Sequence, residues 1–228
     1  MNSLSNFLQN FDFAQLIFLL LSAAAALFCI TIHELSHGFI AYKLGDPTAK
    51  RMGRLTLNPI AHIDIIGLIM MLTVHVGWAK PVPVDMRYFK NPKRGMAVTA
   101  LAGPGSNFLL TLLALIVASI ILRISSGSTV TAYIILFLCY IAVLSVGLGI
   151  FNLIPISPLD GSKVLFALLP DRIYLKIMRY ERYGMIIMVA LTWLGVFSKP
   201  LSFLMGGVLR AFCGISRFPF EILQYYFF

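Results

Sequence analysis

Polar positions in this chain fall in short clusters separated by long apolar runs, and that spacing predicts its elements. Phe13 to Ile32 is almost wholly apolar and Ala-rich in its middle. At about 1.5 Å per residue, a run of this length covers the roughly 30 Å hydrocarbon core of a bilayer. The helix can continue through Tyr42, with Gly45-Asp46-Pro47 as a stop. Met96 to Leu122 is long enough to cross with tilt. The short connection Arg123 to Ser128 leads into another spanning run, Thr129 to Phe151, and leaves no room for an inserted extracytoplasmic domain. Tyr183 to Ser198 is just long enough to span, and Leu201 to Ile215 either packs back beside it or lies in the interface.

The clusters between these runs predict irregular structure. Leu55-Thr56-Leu57 alternates before Asn58-Pro59, which suggests a short strand ending in a turn, with Val82 to Val84 as a partner on the other side. Such an edge could receive an unwound peptide by backbone pairing. Ile65 to Trp78 is only 14 residues long and has basic flanks on both sides, so it is expected to be re-entrant or interfacial. Ala102 to Asn107 opens the second run with small and polar residues that permit close helix approach. Asn152 to Gly161 carries two prolines that stop a regular helix, and Asp160-Gly161 suits a turn.

Composition fixes the class. The chain is 59 % hydrophobic and 12 % charged, whereas a soluble domain has about a quarter of its residues charged. The first 32 residues hold one charge, Asp12, and no Lys or Arg, so a signal peptide is not expected and the first run reads as a retained anchor. Cys29, Cys139 and Cys213 lie in apolar surroundings without a C-x-x-C, which argues against a disulfide scaffold or a thiolate metal site. A net charge of +9 would suggest nucleic acid in a soluble protein. Here the cations cluster between apolar runs, four against one Asp over residues 43–54 and five against one over 80–94, and so report topology. The bilayer is the expected partner and nucleic acid is not. Counting crossings from these basic segments places the active end of the bundle toward the cytoplasmic side of the cell membrane.

The chemistry begins at His33-Glu34-Leu35-Ser36-His37. On a helix, residues four apart share a face, so both imidazoles can reach one metal while Glu34 acts on water beside it. Shuffling this composition would give H-E-x-x-H about once in a thousand chains, which excludes chance but does not prove zinc. A catalytic zinc site has a third protein ligand. His62, Asp64, His75 and Asp160 are the candidates, with Asp160 favoured because an acid at the end of a spanning run is costly unless something compensates it. His62 and Asp64 could instead orient a ligand or meet headgroups, and His75 beside Trp78 reads as interfacial. An oxyanion formed on an amide carbonyl needs a further donor. Asn152 is the first choice and Asn107 the second.

Together these segments resemble the site-2 protease family of intramembrane zinc metalloproteases in its compact form. The resemblance rests on His33 to His37, Gly53 to Pro59 (GRLTLNP) with His62 and Asp64, and Gly77 to Pro83 (GWAKPVP). It rests equally on Asn91 to Met96 (NPKRGM), Ala102 to Asn107 (AGPGSN) and Asn152 to Gly161 (NLIPISPLDG). It covers about residues 13 to 165. It implies that His33, His37 and Asp160 hold one Zn2+ per chain, that Glu34 is the base, and that Asn152 is the asparagine near the site. The family often has Pro at Ser157 and a second Gly at Ser162, departures that touch no catalytic atom.

The fold expected is an all-α polytopic membrane protein forming a single integral membrane domain over residues 1–228. It comprises a three-helix catalytic core at 13–165, a short membrane-associated β or re-entrant segment, and one or two C-terminal helices within 166–228. The expected activity is hydrolysis of peptide bonds in or near the membrane segment of a single-span protein or a signal-peptide remnant. Relatives often carry a peptide-binding or nucleotide-sensing domain, for which no room is expected here. Regulation would then come from a membrane partner, a homodimer or prior cleavage of the substrate. Two rivals use the same residues. A metal transporter or metal-gated protein would need polar groups across the bilayer, which Phe13 to Ile32 lacks. A zinc hydrolase acting on lipid or small peptides differs only in its groove.

Overall fold

The computed structural model describes residues 13–65, 67, 79–170, 173, 183, 184 and 186–228. Helix α1, Phe13–Lys43, carries the first apolar run and continues through the histidine pair. Its hydroxyls are satisfied within the helix itself, Thr31 and Ser36 each donating to the carbonyl four residues back at 2.7 Å, as an apolar environment demands. Beyond it lie a one-turn helix, α2 (Thr48–Arg51), and two short 3₁₀ turns at Pro59–His62 and Met86–Tyr88. Helix α3, Pro92–Ile124, starts four residues before the expected Met96. The reason is local: Asn91 accepts the Arg94 N–H at 3.1 Å, and Pro92 stands at the first helical position, where its missing donor costs nothing. Helix α4, Thr129–Asn152, is capped by Ser128.

These three helices are long and apolar enough to cross a membrane, which makes the chain a polytopic membrane protein. They meet along small side chains: Ala25 and Cys29 of α1, Ala114 and Ala118 of α3, Cys139 and Ala142 of α4, all at most 4 % exposed. Small residues let the backbones approach, so polar atoms bond across the seam. Thr111 Oγ1 reaches the Ala142 carbonyl at 3.2 Å, and Cys29 Sγ reaches that of Ile141 at 3.6 Å. All three cysteines are free and buried.

After α4 the chain is irregular, as the prolines require, until α5 at Asp160–Ala167. Lys93 at the start of α3 donates to the Leu169 carbonyl at 2.6 Å and ties down the far end of α5. A helix at Ile186–Trp193 (α6) bends by 83° into Ser198–Ser216 (α7). This last run does not pack back beside the helix before it, one of the two expected placements: it packs on α4, where Leu209 and Cys213 enter the core and Met205 lies over Gly147. A short amphipathic helix, Phe220–Phe227 (α8), follows.

The β expectation is corrected. Among the described residues there is no strand at Leu55 to Leu57 or at Val82 to Val84, only an isolated antiparallel bridge between Ile63 and Ala79. Pro81 and Pro83 have no N–H to give to a ladder, and the N–H of Val82 between them is taken by Glu34 at 2.9 Å. The Asn58-Pro59 turn is a 3₁₀ start, with Asn58 accepting the Ile60 N–H at 3.1 Å. The re-entrant expectation for 65–78, including His75, falls almost entirely outside the described residues, as does most of 171–182.

Candidate metal centre

α1 brings His33 and His37 to one face and α5 begins at Asp160, so two helix ends far apart in sequence meet at one point. Nε2 of His33 and Nε2 of His37 lie 3.0 Å apart, and Asp160 Oδ2 is 3.2 Å from the first and 3.0 Å from the second. All three residues are buried. Bonds of about 2.0–2.1 Å in a tetrahedron put ligand atoms about 3.3 Å apart, so the spacing of this triangle fits three ligands of one zinc ion. Among the described residues, these three form the one cluster of His, Cys, Asp and Glu side chains able to hold a metal ion.

The rest of each ligand is anchored. His37 Nδ1 donates to the Thr99 carbonyl at 2.7 Å, which leaves Nε2 free to ligate. The Asn107 amide meets His33 Nδ1 at 3.0 Å and is fully buried, and its Oδ1 has no partner. Ligation through Nε2 requires a proton on Nδ1, and a half-turn of the amide brings the orphaned Oδ1 to accept it. Asp160 divides its oxygens: Oδ2 faces the imidazoles, while Oδ1 takes Lys163 Nζ at 3.3 Å. Burial alone would raise the Asp160 carboxyl above its ordinary 3.8, but the two imidazoles against Oδ2, with Lys163 beside Oδ1, hold it well below that value.

Two glycines make the convergence fit. A Cβ on Gly103 would stand 2.5 Å from His37 Cε1 and 2.6 Å from His33 Cε1, so α3 can pass behind the imidazoles only without a side chain there. A Cβ on Gly161 would strike the Leu153 carbonyl, where the loop folds back over its own start.

The centre opens into a cavity of about 350 Å³ whose wall includes Glu34, Val82, Thr99, Asn152, Lys163 and Phe166. Glu34 has one carboxylate oxygen held by the Val82 N–H and lies next to the triangle. Asn152 lines the same cavity and donates to the Leu148 carbonyl at 2.9 Å. Asn107 sits behind His33 and does not line it. Of the other candidate ligands, His62 Nε2 pairs with the Thr56 carbonyl at 3.0 Å and Asp64 accepts the Gly67 N–H at 2.8 Å, both away from the triangle. Sequence reasoning missed the carbonyl of Thr99 and the amide of Val82. Both are backbone groups that leave no side-chain signature.

A H-E-x-x-H helix, a distant aspartate and a cavity between membrane helices define a membrane-embedded zinc metalloprotease. Comparison with known proteins gives the family. The model of peptidase family M50 matches residues 117–195, a stretch that contains Asp160. YwhC of Bacillus subtilis (strain 168), which carries a zinc metalloprotease name, is 40 % identical over 166 residues, covering 71 % of this chain and 74 % of its own. Rip2 of Mycolicibacterium smegmatis, likewise named, is 26 % identical over 178 residues, 75 % of this chain and 66 % of its own. The zinc metalloprotease MJ0392 of Methanocaldococcus jannaschii is 28 % identical over 148 residues, and the match spans only 34 % of its length. No solved structure matches the chain. The chain belongs to peptidase family M50, the zinc metalloproteases, in agreement with the site-2 protease resemblance.

Proposed function

We propose that this protein is an intramembrane endopeptidase that cleaves single-span membrane proteins or signal-peptide remnants in or near their membrane segment. One observation carries the reading: the Nε2–Nε2–Oδ2 triangle of His33, His37 and Asp160, with Glu34 at its side, lies at the end of transmembrane helices and opens into a cavity between them. Zinc held by the triangle would polarise a carbonyl and acidify water. Glu34, with one oxygen on Val82, would accept a proton from water in the cavity and return it to the leaving amine. Asn152, on the cavity wall, turns its amide from the Leu148 carbonyl toward the oxyanion. Asn107 keeps His33 oriented from behind, which replaces the oxyanion role first considered for it.

The substrate must unwind before attack, because the amides of a membrane helix are otherwise internally paired. Weak helix formers such as Gly near the scissile bond should therefore favour cleavage. The excess of Lys and Arg in 43–54 and 80–94 supports a cytoplasmic position for the active end. Residues 1–228 act as one integral membrane domain in this reading, with the core at 13–165, and a membrane partner or second copy would supply regulation.

The test is turnover of a panel of single-span substrates by purified protein in liposomes, compared with Glu34→Gln. The base should contribute about 10²–10⁴-fold, so the variant should be nearly inactive while retaining one zinc per chain. Equal turnover by both forms would remove Glu34 from the mechanism.

A further inference from the structure

Arg54 and residues 80–82 have no part in the metal triangle, yet they lead to Glu34. Arg54 is only 8 % exposed, and its Nη2 donates to two successive carbonyls, Lys80 at 2.7 Å and Pro81 at 3.2 Å. The Pro81 carbonyl and the Val82 N–H belong to one peptide unit, and that N–H donates to Glu34 Oε2 at 2.9 Å. A guanidinium therefore holds the oxygen of a peptide whose nitrogen holds the carboxylate. The peptide dipole is aligned between a cation and an anion, and each hydrogen bond polarises the other.

The segment has little freedom to arrange itself otherwise. Lys80 N–H donates to the His62 carbonyl at 2.9 Å beside the single Ile63–Ala79 bridge. At the other end the fully buried Asp46 accepts the Asp85 N–H at 2.7 Å. Pro81 and Pro83 supply no donors of their own. Gly38, one turn after Glu34, admits Val82 and Leu55 to the face of α1, since a Cβ there would stand 2.9 and 2.7 Å from their methyl carbons.

We propose that Arg54 is a positioning residue for Glu34, acting through the Pro81–Val82 peptide. It fixes the plane of that peptide so that one carboxylate oxygen stays with Val82 and the other is turned to the cavity. This rests on Glu34 being the base, and the two claims fail separately. Full turnover by Glu34→Gln refutes the base. With Glu34→Gln inactive, the Arg54 variants judge Arg54 alone.

The experiment compares Arg54→Met and Arg54→Lys with the parent protein in liposomes. The readouts are kcat and KM on one single-span substrate, zinc per chain, and amide exchange over residues 79–85. A misplacement of the base by about 1 Å predicts a fall in kcat of about 100-fold for Arg54→Met, with KM and zinc content unchanged and the Val82 amide exchanging faster. Arg54→Lys keeps a cation and its N–H donors on a shorter side chain that reaches the two carbonyls less well, so its kcat should lie between the two. Unchanged kcat, a loss confined to KM, loss of zinc, or unchanged exchange at Val82 would each overturn the proposal. So would a Lys variant no better than Met, because the charge on the carbonyls would then be idle. If Arg54→Met does not accumulate as folded protein, Arg54→Lys decides by the same split between kcat and KM.

Discussion

Replacing Gly103 with alanine should disable the metal centre without touching a ligand. The added methyl would sit 2.5 Å from His37 Cε1 and Nε2 and 2.6 Å from His33 Cε1, where ordinary contacts need about 3.5–4.0 Å. α1 and α3 must then separate by about 1 Å. The Thr99 carbonyl that orients His37 lies on α3 itself, one turn before Gly103. A 2.7 Å bond stretched by that amount would reach about 3.7 Å and cease to be a hydrogen bond. Overpacking costs about 1–3 kcal/mol and the lost bond about 1 kcal/mol, against a gain of up to about 1 kcal/mol from replacing glycine within a helix. Net destabilisation of about 1–3 kcal/mol follows. Losing the support of one ligand lowers metal affinity by about 10–100-fold. The assay is zinc affinity by competition with a chelator in detergent, alongside thermal unfolding. Gly105→Ala is the control, because nothing lies within 4 Å of its added methyl, and it should keep parent-like zinc binding. Parent-like zinc affinity in Gly103→Ala would refute the close approach of α3 to the imidazoles.

Three further outcomes follow from the same geometry. Asp160→Asn should abolish stoichiometric zinc in metal analysis, because the amide removes the charge from the shared ligand atom and leaves Lys163 without its partner. Asn107→Leu should lower zinc affinity by about 10–100-fold in the chelator titration while leaving the cavity wall intact, since it frees His33 to rotate. Acidification from pH 7 should release zinc, because protonated histidine cannot ligate. The Asp160 carboxyl, held well below 3.8, protonates only at lower pH. A carboxyl depressed in the folded state contributes stability that is present above its unfolded value and is lost only as pH falls through the lower folded one. Zinc binding left unchanged by acidification in equilibrium dialysis would contradict this assignment.

The sequence by itself determined what depends on neighbours along the chain. Apolar runs of spanning length gave the three crossing helices, with errors only at their ends, where Asn91-Pro92 began α3 one turn early. The four-residue spacing of His33 and His37 gave a shared helical face, and the prolines of Asn152 to Gly161 gave the break that frees Asp160 to face inward. Tertiary structure decided everything that joins distant segments. Asp160 is 127 residues from His33, and no periodicity chooses among Asp64, His62 and Asp160; only the packing of α3 against α1 and α5 does. The same packing drew Asn107 behind His33. It also set Leu55 and Val82 over Gly38 of α1, with the Val82 N–H on Glu34, in place of a strand pair. The physical reason is that local pattern encodes burial and helix ends, whereas a site is a set of distances set by Gly103, Gly161 and backbone groups whose partners lie elsewhere in the fold.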